Sequence, residues 1–166
     1  STDEVFGSLG ETGYFNESTN YDPKSPYSAS KAASDHLVSA WENTYNLPIS
    51  LTNCSNNYGP WQYPEKLIPT VILNAISNKT IPVYGTGNNI RDWLHVDDHI
   101  DALLLSAIIG KVGKKYCIGG DQEKTNKEIV IMICDHLDNL LKKDQSHKEL
   151  IKNVKDRPGH DFRYSI

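Results

Sequence analysis

Long apolar runs are missing from these 166 residues, and none approaches the roughly 18 that a bilayer-spanning helix needs, so a membrane-spanning role is excluded for this segment. An excess of positive charge is missing too. Seventeen Lys and Arg against twenty-one Asp and Glu leave a formal net charge of -4 and a pI near 5.8, which provides no broad positive field for a phosphate backbone. Nucleic acid is therefore not an expected partner, and any bound anion has to be held by a few placed cations. Cysteine is scarce: Cys54, Cys117 and Cys134 stand far apart, with no C-x-x-C and no His at ligand spacing. No metal site is expected, and a reducing, cytoplasmic compartment is the simplest reading. Asn16-Glu17-Ser18, Asn53-Cys54-Ser55 and Asn78-Lys79-Thr80 match the glycosylation pattern but carry no weight without a secretory signal. Internal repeats and low-complexity tracts are absent. So is a dinucleotide fingerprint: GTGNNI at 85–90 begins like G-x-G-x-x-G, but Ile90 takes the last glycine position and a strand, not a helix, is expected next.

What is present alternates between helix and strand. A polar stretch over 8–26 reads as a loop, and a helix follows it, with Ser25 as cap and Pro26 in the first turn. Its apolar face is Ala33, Leu37, Ala40, Trp41 and Tyr45, and Asn46-Leu47-Pro48 stops it. Residues 49–54 read as a strand and SNNYGP, 55–60, as a turn. The 65–78 segment is a helix that Pro69 either kinks or starts late. Short strands are expected at IPVY and IRDWLHV, then a helix from Asp97 to about Ile109 that buries Ile100, Leu103, Leu104, Ala107 and Ile108; these positions and Trp93 read as core. KYCIGG reads as a buried strand. Thr125-Asn126-Lys127-Glu128 is a capping box opening a helix through Leu141. The remainder reads as a strand-like piece and a polar turn. Helix and strand in this rhythm predict an α/β fold.

Two stretches carry chemistry. STDEVFG opens the chain with adjacent carboxyls, Asp3 and Glu4, beside the hydroxyl of Thr2, before a Val-Phe-Gly that reads as a strand running into a turn. Standing alone, such an acid pair is most often a solvated loop. PYSASKAASDH places Tyr27 and Lys31 four residues apart at a helix start, so both side chains leave one face. An ammonium beside a phenol stabilises the phenolate, which suits a Tyr to act as a base near neutral pH. A lone Y-x-x-x-K is more often two surface residues.

The combination decides. STDEVFG, SPYSASKAASDHL, NCSNNYGP, PEKLIP, IRDWLHVDDH and DRPGHDFRY, in that order across essentially the whole chain, resemble the dTDP-glucose 4,6-dehydratases of the extended short-chain dehydrogenase/reductase superfamily. The resemblance implies a partial NAD-binding Rossmann fold plus a smaller C-terminal substrate-binding lobe. It implies that residues 1–57 end the NAD-binding domain and carry the catalytic loop and the Tyr/Lys helix. Residues 58–166 would form mainly the nucleotide-sugar lobe, with 96–120 returning to the NAD-binding sheet. The glycine-rich part is expected upstream of STDEV, which makes the chain a C-terminal portion, inactive alone.

By the same resemblance Thr2, Tyr27 and Lys31 oxidise the sugar at C4 with NAD as cofactor, while Asp3 as acid and Glu4 as base eliminate water across C5–C6. A 4-epimerase of the superfamily has no use for Asp3 and Glu4. Adjacent carboxyls in a partly dry site tend to hold different protonation states, which is what acid and base require. Both reach one sugar only if the backbone leaves the strand here. Tyr27, Lys31 and Asn57 are implied in cofactor binding. Asn56, Lys66, Leu67, Pro82, Tyr84, Arg91, Asn126, Arg157 and His160 are implied around the substrate's diphosphate, where Arg forks and the free N–H groups of the 126–141 helix suit an anion. The expected activity is a lyase that turns dTDP-glucose into the 4-keto-6-deoxy sugar, as a homodimer when full length. A non-catalytic nucleotide-sugar-binding piece of a split or degenerate gene, or another nucleotide-sugar dehydratase or epimerase, is the alternative.

Overall fold

The computed structural model of the chain describes residues 1–142 and 145–166 and divides them into two units. The first comprises Ser1–Gly59, Arg91–Glu123 and Asp161–Ile166; the second comprises Pro60–Ile90 and Lys124–His160. The strand segment at 91–95 and the tail at 161–166 thus belong to the first unit, together with 96–120. Three pairs of strands run parallel, with helices between them, and the expected α/β class is borne out.

In the first unit, α1 (Pro26–Tyr45) begins where the sequence signals place it. Ser25 Oγ accepts from the Ser28 N–H at 3.1 Å and Ser28 Oγ accepts from the Ser25 N–H at 3.0 Å, so two donors of the first turn are satisfied reciprocally. Asn46 closes the helix in the left-handed conformation. β1 (Leu51–Cys54) pairs in parallel with β5 (Lys115–Ile118), Leu51 opposite Lys115, and Thr2 adds one parallel bridge to Cys54. β2 (Asn56–Tyr58) pairs in parallel with β4 (Ile90–His95), which β8 (Arg163–Tyr164) also joins. SNNYGP is therefore not only a turn. Its Asn-Asn-Tyr is extended because β4 offers a ladder partner some 37 residues on, and turn propensity yields to pairing of that kind.

Several core expectations need correction. α3 (Val96–Ile109) buries none of its residues: Leu104 is 54% exposed and Ile108 77%. α1 buries Ser28, Ala32 and Asp35, while Leu37, Trp41 and Tyr45 are exposed. Periodicity marks a face as apolar but does not say what covers it. β5 is half-buried along its length, not buried. Trp93 is buried as expected. The interior of this unit gathers Val5, Phe6, Phe15, Ala32 and Tyr164.

The second unit packs α2 (Leu67–Ile76) and α4 (Asn126–Leu141) over β3 (Ile81–Tyr84), which pairs in parallel with β7 (Ile151–Val154). Its core is Val71, Ala75, Ile81, Val83, Val130 and Cys134. Pro69 lies in the first turn of α2, where its missing N–H would have had no intrahelical partner, so the helix starts late. The Thr125/Glu128 capping box forms. Just before it the short strand β6 (Glu123–Thr125), not foreseen from the sequence, joins β4. Gly85 and Gly87, at φ +56° and +75°, make the turn that leads into β4, and no helix follows.

Candidate functional site

Thr2 is where the strand ends. Its bridge to Cys54 is followed at once by a 3-10 turn, Asp3–Phe6, with Thr2 Oγ1 accepting the Glu4 N–H at 3.3 Å as cap. The chain thus leaves the strand at the acid pair. Val-Phe-Gly closes this helical turn, contrary to the strand reading, because the cap and the Gly7 N–H to Glu4 carbonyl bond, 3.4 Å, wind it up. Gly7 at φ +90° approaches Asp22, whose carbonyl oxygen would lie 2.7 Å from any Cβ there, so only glycine makes the exit.

Asp3 is 2% exposed and its pKa is pushed up to about 7. Burial is the main cause and the charge of Glu4 the next, against the Thr2 hydroxyl, 3.3 Å from Oδ1, and the Arg91 guanidinium, which both pull it down. Asp3 Oδ2 is buried without a partner, whereas Glu4 is half-buried. One carboxyl sits dry and half-neutral at pH 7, with the other beside it.

The helix bearing Tyr27 packs on this turn through Ala32. Tyr27 is 56% exposed, and its phenol is held above the ordinary value by partial burial first, then by the charges of Glu4, Cys54 and Asp3. The expected lowering by Lys31 is therefore corrected. The groups that act on the phenol are acids, and the Lys31 ammonium, half-buried on the same helix, is not among them. Those charges do show that the phenol lies within electrostatic reach of both carboxyls.

Asn57 spends its amide internally, donating to the Ser55 carbonyl at 3.0 Å and pairing through Oδ1 with His99 Nδ1 at 2.7 Å. Asn56 is half-buried opposite Trp93. Arg91 is buried, its guanidinium donating to the carbonyls of Asp161 at 3.0 Å and Phe162 at 3.4 Å and lying 4.6 Å over the Tyr164 ring. Burial draws its pKa down.

In the second unit, Lys66 caps α2 with its ammonium exposed near Glu65, and Leu67 packs against the apolar core. Tyr84, next but one to Pro82 in β3, carries the Arg157 guanidinium 5.3 Å over its ring. His160 is 5% exposed in its side chain, with Nδ1 2.7 Å from Asp156 Oδ1 and Nε2 buried without a partner. Asp156 also accepts the Arg157 N–H at 2.8 Å, and the bonds from His160 and Arg157 hold its carboxyl below the usual range. So Tyr84, Asp156, Arg157 and His160 gather together. The expectation of free N–H groups at Asn126 and the start of α4 is corrected. Its N–H is taken by the Asn89 carbonyl at 3.0 Å, that of Lys127 by Gly87 at 3.0 Å and that of Glu128 by Thr125 Oγ1 at 3.1 Å, so the start of α4 has no free N–H there for an anion.

Sequence reasoning missed Asp92, Asn53 and Asp35. Asp92, fully buried, accepts the Gly120 and Gln122 N–H groups at 2.8 and 2.9 Å and ties down the turn after β5. The signal for Asn53 was an amide on the same strand face as Leu51. Full burial of Asn53 also closes that glycosylation sequence. A cleft of about 430 Å³ in the first unit is lined by residues such as Glu17, Cys117 and Asp121 and by none of the candidate site residues. Among the described residues no cluster of three or more His, Cys, Asp or Glu could hold a metal, and no helix is long and apolar enough to cross a membrane.

Parallel strands with intervening helices, and a hydroxyl, a phenol–ammonium helix and an acid pair gathered in one unit, define the extended short-chain dehydrogenase/reductase type of protein. Within that type, the match to the GDP-mannose 4,6 dehydratase family runs over residues 1–166, and the chain belongs to that family. It is 55% identical over 175 aligned residues to dTDP-glucose 4,6-dehydratase 1 of Escherichia coli K12, covering all of this chain and 48% of that protein. Among solved structures, dTDP-glucose 4,6-dehydratase of Bacillus anthracis, in complex with NAD, is 53% identical with a TM-score of 0.89 over all of this chain and 50% of that one. DesIV, the dTDP-glucose 4,6-dehydratase of Streptomyces venezuelae with NAD and TYD bound, is 44% identical with a TM-score of 0.91, covering 99% and 49%. The chain spans about half the length of the relatives it matches.

Proposed function

We propose that the protein is an NAD-dependent nucleotide-sugar 4,6-dehydratase that converts dTDP-glucose into the 4-keto-6-deoxy sugar. The observation that carries this reading is the acid pair: a buried Asp3 with a pKa of about 7 adjoining a half-buried Glu4 on the turn capped by Thr2. The identity to dTDP-glucose 4,6-dehydratases supports the choice of sugar.

Residues fit for the cofactor are on the same unit. Tyr27 offers a half-exposed phenol and Lys31, one turn on, an ammonium that no described residue pairs with, and both suit ribose hydroxyls. Asn57 stands beyond the end of β1 with its amide orientation set by Ser55 and His99. Bound NAD supplies a place for hydride to go and to return from. The chain's own groups handle the protons. Tyr27, with Thr2 sharing the same oxygen, takes the proton of the sugar 4-hydroxyl; the C4 ketone acidifies the hydrogen on C5; Glu4 removes it; Asp3, still half protonated at pH 7, gives its proton to the leaving 6-hydroxyl.

The first unit, which holds every proposed catalytic residue, is assigned to cofactor and chemistry, and the second, with Lys66, Leu67, Pro82, Tyr84, Asn126, Arg157 and His160, to the nucleotide diphosphate. The uncovered apolar face of α1 supports pairing of two copies as a homodimer. Full-length protein carrying Glu4→Gln, given dTDP-glucose, is expected to keep the oxidation and lose elimination about 10²–10⁴-fold. Formation of only the 4-epimer by the unaltered protein would overturn the reading.

A further inference from the structure

A buried polar chain runs behind Thr2. Asn53, fully buried in β1, donates from Nδ2 both to the Thr2 carbonyl at 3.1 Å and to Asp35 Oδ2 at 3.2 Å. Asp35, 4% exposed on α1, also accepts the Tyr21 hydroxyl at 2.9 Å. Side chains from the 8–25 loop, a helix and a strand thus link into one chain that ends, through Asn53, on the Thr2 carbonyl. Burial of an amide and a carboxyl costs free energy that these bonds only roughly offset, and an apolar residue at 53 would pack beside Leu51 without it. What the polar chain adds is direction. The main-chain ladder ends here, with the Cys54 N–H on the Ser1 carbonyl, so the side chain of Asn53 fixes the peptide from which the 3-10 turn departs. Asp35 follows Tyr27 and Lys31 at four-residue steps on α1. It therefore ties the helix that carries the phenol to the strand end that carries the hydroxyl.

We infer that Asn53 and Asp35, buttressed by Tyr21, are positioning residues that set the placement of the Thr2 hydroxyl against the Tyr27 phenol, an inference that rests on the proposed role of Thr2. The test is a double-mutant cycle on full-length protein turning over dTDP-glucose. Asn53→Leu is expected to lower kcat about 10–100-fold with KM within about threefold, since small misplacements of reacting groups are costly. In a Thr2→Val background the same change is expected to add less than about twofold. Tyr21→Phe, which removes one outer hydroxyl and preserves the ring, is expected to cost about two- to fivefold and to become silent in that background too; it serves where Asn53→Leu fails to fold. If Thr2→Val is impaired but the second changes multiply through it undiminished, these residues merely support the fold and the inference is overturned. If Thr2→Val itself turns over normally, the reading of Thr2 falls, and the inference with it.

Discussion

Around α2, β3 and α4 the second unit buries Val71, Ala75, Ile81, Val83, Val130 and Cys134, whereas the first buries Asp3, Asp35, Asn53, Arg91, Asp92 and Arg163 alongside its apolar residues. An apolar interior stabilises in proportion to the area it removes from water and asks for no particular orientation. A polar interior stabilises only when each group is met. Asp92 meets two N–H groups, Arg91 meets two carbonyls, and Arg163 forks onto Glu123 at 2.7 and 3.0 Å. Asp3 departs from this rule, as does the side-chain carbonyl oxygen of Asn53. Among the described residues Asp3 is the carboxylate whose buried oxygen meets no partner, and it is also the proposed acid. The contrast teaches that the core around α2, β3 and α4 is held by packing, with His147 against Asp138 a buried polar exception in that unit, while the first unit accepts such costs repeatedly in order to orient side chains.

That contrast can be broken or sharpened by substitution. The largest effect is expected from Tyr27→Phe in the first unit: in full-length protein given dTDP-glucose it should lower the proposed turnover about 10²–10⁴-fold, read as product formed, with the melting temperature nearly unchanged because the ring is half-exposed. Asp3→Asn should alter stability in a pH-dependent way. The folded chain keeps Asp3 protonated up to about pH 7, whereas its ordinary pKa is 3.8, so stability falls as pH rises between those values and the cost is complete above about 7. Denaturant unfolding should then show the variant gaining about 4 kcal/mol on the unaltered protein from pH 4 to pH 8; a constant difference would mean that Asp3 ionises freely when folded. In the second unit, Ile81→Ala, at a fully buried position, should cost about 2–5 kcal/mol in the same experiment, equally at pH 5 and pH 8. The smallest effect belongs to Thr125→Ala, about 1 kcal/mol from loss of the cap on α4, again without pH dependence. A pH-dependent loss in either of these last two would erase the distinction between the units.

Legibility differed in the same way. Helix starts at Ser25-Pro26 and Thr125-Asn126, the late start forced by Pro69 and the α/β rhythm could all be read, because each signal and its partner lie within a few residues. The four-residue step from Tyr27 to Lys31 was readable for that reason too. Extended Asn56–Tyr58, the exposed stripe of α3 and the occupied N–H groups of α4 could not be read, since each depends on a partner far along the chain or on a face left uncovered.

By itself, then, the sequence determined where α1 and α4 begin and end and which residue types stand together at the acid pair and the Tyr/Lys helix. Only the tertiary structure decided that Thr2 closes a parallel bridge to Cys54 and that the chain turns off the strand at Asp3. It also brought Asn53 and Asp35 behind Thr2 from 51 and 33 positions away. The physical reason is that burial and charge at Asp3 come from Arg91 and Asp92 as well as from its neighbours. Desolvation is a property of what surrounds a group in space, and propensity along the chain does not encode it.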